Sequence, residues 1–379
     1  MPKKNAAKSL IIDLLQDTDI KVNGTKPCDL QIHNEDFYER ILREGSLGLG
    51  ESYMDGWWDC AALEQFFAKL FAAEIDKKIK FNFPVLARIA FRKALCTLHN
   101  PQSKKYAFKV GEQHYDIGND LYQRMLDPTL SYTCAYWKNA SNLDEAQLAK
   151  LELICQKLQL KPGMRLLDIG CGFGGMAQYA ASRYQVEVVG LTISKEQYAL
   201  SKERCNGLPI DIRLQDYREV NEKFDRIVSI GMFEHVGPKN YRTYMEVAAN
   251  ALNHPDDLFL LHTIGANVSS FEADPWINKY IFPGGVIPSI PQIAESIQDL
   301  FVMEDWHNFG FDYYKTLMAW HHNFNAHYAE IKEQYSERFR RMWNYYLLSC
   351  AGSFYARDIQ LWQIVLSKKG ASGGYVSIR

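Results

Sequence analysis

Five groups of polar residues follow short apolar runs in this chain, and their types belong together chemically. Leu166-Leu167-Asp168-Ile169 leads into Gly170, Cys171, Gly172, Phe173, Gly174 and Gly175. Further on stand Gly190-Leu191-Thr192-Ile193-Ser194, Gln215-Asp216-Tyr217, Gly231-Met232-Phe233-Glu234-His235 and His262-Thr263-Ile264. A glycine-rich turn between a strand and a helix brings bare backbone against a nucleotide-like ligand, with the helix N-terminus behind it. Gly170, Gly172 and Gly175 also satisfy the dinucleotide pattern G-x-G-x-x-G. A nicotinamide site wants an acid on the ribose roughly 20 residues past that loop. Here the place is taken by Gly190 to Ser194, which holds none. Asp168 at the base of the loop, and Asp216 where a carboxylate accepts from an adenine amino group, suit S-adenosylmethionine better than a dinucleotide. Asp168 also reads as a carboxylate that braces the loop by accepting backbone N–H bonds.

The elements that position these groups follow from periodicity. Strands are expected at 164–169, 186–191, 210–214, 225–230 and 258–262, with late strands near Val302 and over 361–366. Between them, Asn142 with Glu145 and Ser194 with Gln197 read as capping boxes. Leu148, Leu151, Ile154, Cys155 and Leu158 repeat at helical spacing, and a further helix is expected to run through Ala177 to Tyr184. Alternating strands and helices imply an α/β fold with a mostly parallel sheet and right-handed crossovers, which binds its ligand at the carboxyl ends of the strands. From Ala266 to about Leu300 the alternation breaks, with prolines at 275, 283, 288 and 291, and an insertion or lid is expected.

The N-terminal third reads differently. The closely spaced glycines of Gly45 to Gly56 allow tight turns, and Trp57 and Trp58 supply apolar surface for a small satellite core. Lys69, Lys77, Lys78, Lys80, Arg88, Arg92, Lys93, Lys104 and Lys105 face only Glu74 and Asp76 between 69 and 105. That stretch reads either as a lipid-facing interfacial element or as a solvated linker helix. The expected organisation is an N-terminal lipid-engaging domain over 1–95, a linker over 96–109 and a catalytic domain over 110–379.

Bulk composition narrows the class. The 379 residues are 47% hydrophobic and 23% charged, the balance of a globular chain with a large core. A net charge of −2 offers no polycation, so no nucleic-acid partner is expected. The eight cysteines are scattered without a C-x-x-C, so no metal site is expected and buried thiols are. No apolar run approaches ~18 residues and no signal peptide is read, so a cytoplasmic protein is expected.

Taken in order and spacing, these motifs resemble a known family. Tyr132-Thr133-Cys134-Ala135-Tyr136-Trp137, the glycine loop, Gly190 to Ser194, Gly231 to Gly237, and Asp274 to Gly285 are together similar to the bacterial cyclopropane-fatty-acyl-phospholipid synthases. The resemblance covers nearly the whole chain, including Gly45 to Trp58, which the shorter mycolic-acid enzymes lack. It implies a class I methyltransferase-like, Rossmann-like sheet with a helical insertion and a smaller N-terminal domain. It implies S-adenosylmethionine held by Gly170, Gly172 and Gly174, with Tyr132 and Thr133 at its methionine end. Thr133 replaces the more usual serine and keeps the hydroxyl. Thr192 and Gln197 match positions near the ribose, and Gln215 with Asp216 the adenine side.

The implied reaction is methylene transfer to a cis double bond of an unsaturated phospholipid acyl chain. The alkene takes the sulfonium methyl, a carbocation forms, a base removes a proton and the ring closes. The resemblance places a bicarbonate ion among Cys134, Glu234, His262, the backbone of Ile264, and Tyr313. His262 and Tyr313 would donate to it, Glu234 would orient it or receive its proton, and Tyr280 and Phe282 would line the cation's cavity. Taken singly, His262 also reads as a satisfied core histidine, Glu234-His235 as a helix N-terminal pair, Cys134 as a buried thiol and Tyr313 as packing. The implied partners are a bilayer surface carrying unsaturated acyl chains, visited reversibly at the inner membrane face, and a second copy in a homodimer. Two other readings remain: an acyl-chain methyl- or methylene-branching methyltransferase, and a lipid-surface binding protein without turnover.

Overall fold

The computed structural model describes residues 2–75, 102 and 118–379. Most of the basic stretch and linker, including Lys77, Lys78, Lys80, Arg88, Arg92, Lys93, Lys104 and Lys105, lies outside those residues. The chain forms two compact units. One comprises 1–99, 272–283 and 317–359, and the other 100–271, 284–316 and 360–379.

The second unit is built on a sheet of seven strands among the described residues: β1 (Arg165–Ile169), β2 (Glu187–Thr192), β3 (Ile210–Leu214), β4 (Arg226–Ile230), β5 (Leu258–Ala266), β6 (Val302–Asn308) and β7 (Ile359–Ser367). Their spatial order is β3-β2-β1-β4-β5-β7-β6. The ladders from β3 to β5 are parallel, and β6 pairs antiparallel with β7. Every strand expected from the sequence is present, with small shifts at the ends.

Period-two alternation sends each strand's residues to two separate cores. Leu167, Val189, Ile227, Phe259, Leu261, Ile364 and Leu366 pack on one face with the helices Tyr241–Ala251 and Ile290–Ile297. Leu166, Val188, Val228, Leu258, Leu260 and Val365 pack on the other with the helices Leu143–Lys157 and Gly175–Tyr184. A sheet covered on both faces explains why its central strands are almost continuously apolar.

In the second unit four local expectations change. The Asn142 side chain accepts the Glu145 N–H at 2.9 Å, but the Glu145 carboxylate takes the Ser141 N–H instead of that of Asn142, so this box is half made. Leu148 is exposed, while Gln147, Lys150 and Lys157 of the same helix are buried; these polar side chains find partners that the apolar repeat did not anticipate. The Ser194 hydroxyl accepts from the Gln197 N–H at 3.3 Å, but the Gln197 carbonyl takes the Thr192 hydroxyl, so the box is half made. A complete capping box instead forms at Ser289 and Gln292, inside the stretch expected as an insertion or lid. Ile293 and Ile297 of the helix it starts belong to the sheet's core.

In the first unit the glycine-rich segment is a helix, Ser46–Met54, rather than a set of turns. Gly50 is required there by close approach: a Cβ would lie 2.3 Å from the Trp276 ring. Trp58, fully buried, packs with Phe37, Tyr53 and Phe66 as the satellite core. The Tyr280 hydroxyl donates to Glu51 at 2.8 Å, and the Phe282 ring meets Tyr346.

Candidate active site

The turn after β1 is shaped by glycines in the left-handed region. Gly170, Gly172 and Gly174 have φ of 87°, 54° and 83°, values that other residues adopt only with strain. The N–H groups of Gly170 and Cys171 donate to the Leu191 carbonyl at 3.0 and 2.9 Å, tying the turn to β2. A Cβ on Gly172 would meet nothing within 4 Å. That open flank is where a ligand can lie against backbone.

Asp168, just before this turn, is buried and its Oδ2 has no hydrogen-bond partner. Burial pushes its carboxyl up to about 7 against the pull of the Lys150 charge. An unsatisfied buried carboxyl oxygen beside an open glycine turn is a donor-seeking site. Around it the other expected cofactor residues are braced by one another. The Thr192 hydroxyl donates to Gln197 at 3.0 Å and accepts from the Ser194 N–H at 3.1 Å. The Gln215 N–H donates to the Thr192 carbonyl at 3.0 Å. Asp216 accepts the Arg218 N–H at 2.9 Å, capping the turn Tyr217–Glu219. Tyr132 packs edge-on to Tyr122, which also meets Phe173 of the glycine turn.

The end of β4 and the middle of β5 carry the second half of the site: β5 runs on to Ala266, so His262 and Ile264, expected at a strand end, lie within the strand, from the last pair with β4, Ile230 with His262, onward. Glu234 accepts the Ile264 N–H on Oε1 at 2.8 Å, and its Oε2 has no partner. Burial pushes this carboxyl up to about 7, opposed by the N–H groups of Ile264 and Glu234 and by the Thr263 hydroxyl. His262, on β5, is held far below the usual imidazole range, first by burial and then by the charges of Lys150 and Lys157. Its Nε2 has no partner. Near neutral pH the ring is therefore uncharged. Gly231 donates to the His262 carbonyl at 2.9 Å, and a Cβ on Gly231 would lie 2.7 Å from Thr133 Cγ2. In this way the strand ends meet the Tyr132–Cys134 segment.

Burial pushes the Cys134 thiol well above its ordinary range, so it remains protonated; it donates to the Ala135 carbonyl at 3.2 Å. Next to it the Thr316 hydroxyl accepts from the Ala135 N–H and the Trp137 indole at 3.1 and 2.9 Å. Tyr313 is buried one turn before Thr316 on the same helix.

Sequence reasoning missed the braces behind this segment. Lys150, only 1% exposed, donates to Thr133 Oγ1 at 3.1 Å. Burial brings its ammonium down to about 8, although the charges of Asp127, Cys134 and Asp168 favour it. One turn earlier, Gln147 donates to the carbonyls of Ser131 and Thr133 at 3.2 and 2.9 Å. Asp127 accepts the N–H groups of Thr129 and Ser131. The available signal was a glutamine and a lysine one turn apart in a helix otherwise buried along that side.

Among the described residues no group of three or more His, Cys, Asp or Glu is arranged to hold a metal, and no helix is long and apolar enough to cross a membrane.

Comparison with known proteins gives the family. The sequence profile of the mycolic acid cyclopropane synthetase family matches residues 102–364. The cyclopropane-fatty-acyl-phospholipid synthase of Escherichia coli K12 is 58% identical over 361 residues, covering 95% of this chain and 93% of that protein. The solved cyclopropane synthase MmaA2 of Mycobacterium tuberculosis superposes with a TM-score of 0.65 at 34% identity, covering 69% of this chain and 98% of that one. The mycolic acid cyclopropane synthase CmaA1, solved in complex with SAH and CTAB, gives 0.64 at 35% identity over 69% of this chain and 98% of its own. With a methyltransferase sheet, a glycine turn beside an unsatisfied acid and these relatives, the chain belongs to the cyclopropane synthetase family and is an enzyme of the S-adenosylmethionine-dependent methyltransferase class.

Proposed function

We propose that this enzyme transfers a methylene group to the cis double bond of unsaturated phospholipid acyl chains, closing a cyclopropane ring. The observation that carries the reading is the pair of buried atoms without a partner among the described residues, Glu234 Oε2 just past the end of β4 and His262 Nε2 on the adjacent β5. The 58% identity to the phospholipid enzyme of Escherichia coli supports the same acceptor.

Gly170, Gly172, Gly174 and Asp168 would hold S-adenosylmethionine, with Tyr132 and Thr133 at its methionine end and Thr192, Gln197, Gln215 and Asp216 toward its nucleoside. When bound, it supplies the one-carbon unit as a sulfonium methyl. The remaining work belongs to the chain. Addition to the alkene leaves a cation on the acyl chain, so the site must exclude water until the ring closes. Closure then releases one proton from the new carbon, and a weak base must stand beside it. We assign that base to a bicarbonate ion held by Cys134, Glu234, His262, Ile264 and Tyr313. The neutral His262 and Tyr313 donate to the anion. Glu234, near 7, is poised to accept a proton. The Ile264 N–H is committed to Glu234, so Ile264 acts by fixing that carboxyl and through its own carbonyl. Residues 1–95 would engage the lipid, joined through 96–109 to the catalytic 110–379. The enzyme would act as a homodimer at the inner membrane face, leaving and rejoining it.

The test is product analysis after incubation with methyl-labelled S-adenosylmethionine and vesicles of cis-unsaturated phospholipid. Labelled ring methylene with loss of vinyl protons is expected. Label in an open-chain branch would make the enzyme a branching methyltransferase. Binding of S-adenosylmethionine without any transfer would leave a lipid-surface protein.

A further inference from the structure

His262 Nδ1 lies 3.2 Å from the side-chain amide nitrogen of Gln363. The two residues are 1% and 0% exposed, and neither is near the other in sequence. Strand alternation brings them together. His262 continues the face of β5 that carries Leu258 and Leu260, and Gln363 lies on the face of β7 that carries Val365. β5 and β7 are neighbours in the sheet, so both side chains enter the same layer. At this register an aliphatic residue would pack without cost, whereas a buried amide must be hydrogen-bonded. The bond that Gln363 makes is to the histidine, and its Oε1 is left without a partner.

The consequence is chemical. An amide nitrogen can only donate, so the ring nitrogen facing it must accept. His262 is uncharged near neutral pH, and a neutral imidazole carries one proton. With Nδ1 accepting, that proton sits on Nε2, the atom that has no partner among the described residues. Among the described residues no carboxylate is hydrogen-bonded to this ring, in contrast to the arrangement that would draw the proton onto Nδ1 and turn Nε2 into a base.

We infer that Gln363 is a positioning residue that holds His262 with its proton on Nε2, making the histidine a fixed hydrogen-bond donor into the site rather than a general base. This rests on the reading of an anion beside Glu234, and it divides the labour there: the histidine binds and orients the anion, and the proton leaves by way of the anion and Glu234.

The test begins with the wild-type enzyme labelled with ¹⁵N-histidine. The His262 resonances are assigned by their loss in His262→Gln. Long-range proton–nitrogen correlation is expected to show Nε2 protonated and Nδ1 bare from about pH 6 to 8. A proton on Nδ1 would overturn the inference outright, whatever any variant does. Gln363→Glu places an acceptor at Nδ1 and is expected to move the proton there. The bicarbonate concentration for half-maximal turnover should then rise on the order of 10–100-fold, by analogy with the loss of a group that orients a metal-bound histidine. S-adenosylmethionine affinity by calorimetry should stay within about twofold, which a general loss of structure would not allow. An unchanged bicarbonate requirement with the proton moved would count against the inference. Wild-type turnover that is indifferent to bicarbonate removal would sink the anion reading alone, because the tautomer is read without turnover.

Discussion

Asp168 and Asp305 are buried carboxylates of the same unit, each within the field of a buried lysine, yet their surroundings differ in kind. Asp305 on β6 is fully engaged: Arg379 grips both oxygens at 2.5 and 2.6 Å, Ser377 donates at 2.9 Å, and Lys157 stands 3.8 Å away. Burial pushes this carboxyl up, but the hydrogen bonds from Arg379 and Ser377 outweigh it and hold it below the usual range. Lys157 in turn donates to His307 Nδ1 at 3.0 Å. Asp168 feels Lys150 through charge, keeps one oxygen unpartnered and rises to about 7. One cluster is closed by the chain's own C-terminal residues and belongs to the fold. The other is left open, as are Glu234 Oε2 and His262 Nε2. Buried polar atoms are nearly always satisfied, so the open cluster beside the glycine turn is the one on which the proposed function rests.

The largest expected effect falls on the open cluster. Glu234→Gln and His262→Ala should each abolish turnover while S-adenosylmethionine still binds by calorimetry. Full activity in either variant would remove that residue from the chemistry. Next come the two aspartates themselves. Asp305→Ala leaves Lys157 and Arg379 without their counter-charge and should destabilise the protein by roughly 3–5 kcal/mol in urea unfolding, with cofactor affinity unchanged. Asp168→Asn should do the reverse: on the order of tenfold or more lost in S-adenosylmethionine affinity, about 1.4 kcal/mol per factor of ten, with stability kept or raised. If both substitutions gave the same pattern, the contrast between the clusters would fail.

A smaller effect lies in the pH dependence of stability. Asp168 holds its proton in the folded protein up to about 7, whereas an unfolded aspartate releases it near ~3.9. Between those values the folded state binds more protons, so this residue makes stability fall as pH rises from about 4 to about 7. Asp305 has the opposite sign: its contribution is present above ~3.9 and is lost as pH falls through its lowered value. Urea midpoints across this range should flatten in Asp168→Asn, leaving the share of Glu234, and should lose part of their acid-side drop in Asp305→Asn. The smallest effect is expected from Arg379→Ala. Its side chain is 39% exposed, so solvent screens the pair and the loss should be about 1 kcal/mol by the same unfolding assay.

Much of the fold was legible because strand and helix periods are local. The expected strand at 258–262 is there and runs on to Ala266, and 210–214 matches at both ends. Gly45 to Gly56 misled because glycine signals freedom in a turn and close packing in a helix equally well, and only Trp276 across from Gly50 distinguishes them. The stretch from Ala266 to Leu300 misled because its prolines mark helix starts as well as loops: Pro275 and Pro291 both sit in first turns. The polar strand ends were found by the same local reading, since a parallel sheet puts all of them at one edge.

What the sequence by itself determined is the sheet and the glycine turn after its first strand, because apolar period and turn chemistry are written in neighbouring residues. What the tertiary structure decided is which of the buried polar atoms are paired. Lys150 reaches Thr133 across 17 residues and Gln363 reaches His262 across 101. Arg379 closes on Asp305 across 74. Nothing local encodes such meetings. A buried charge or amide is tolerated only where a distant partner arrives, and reactive only where one does not.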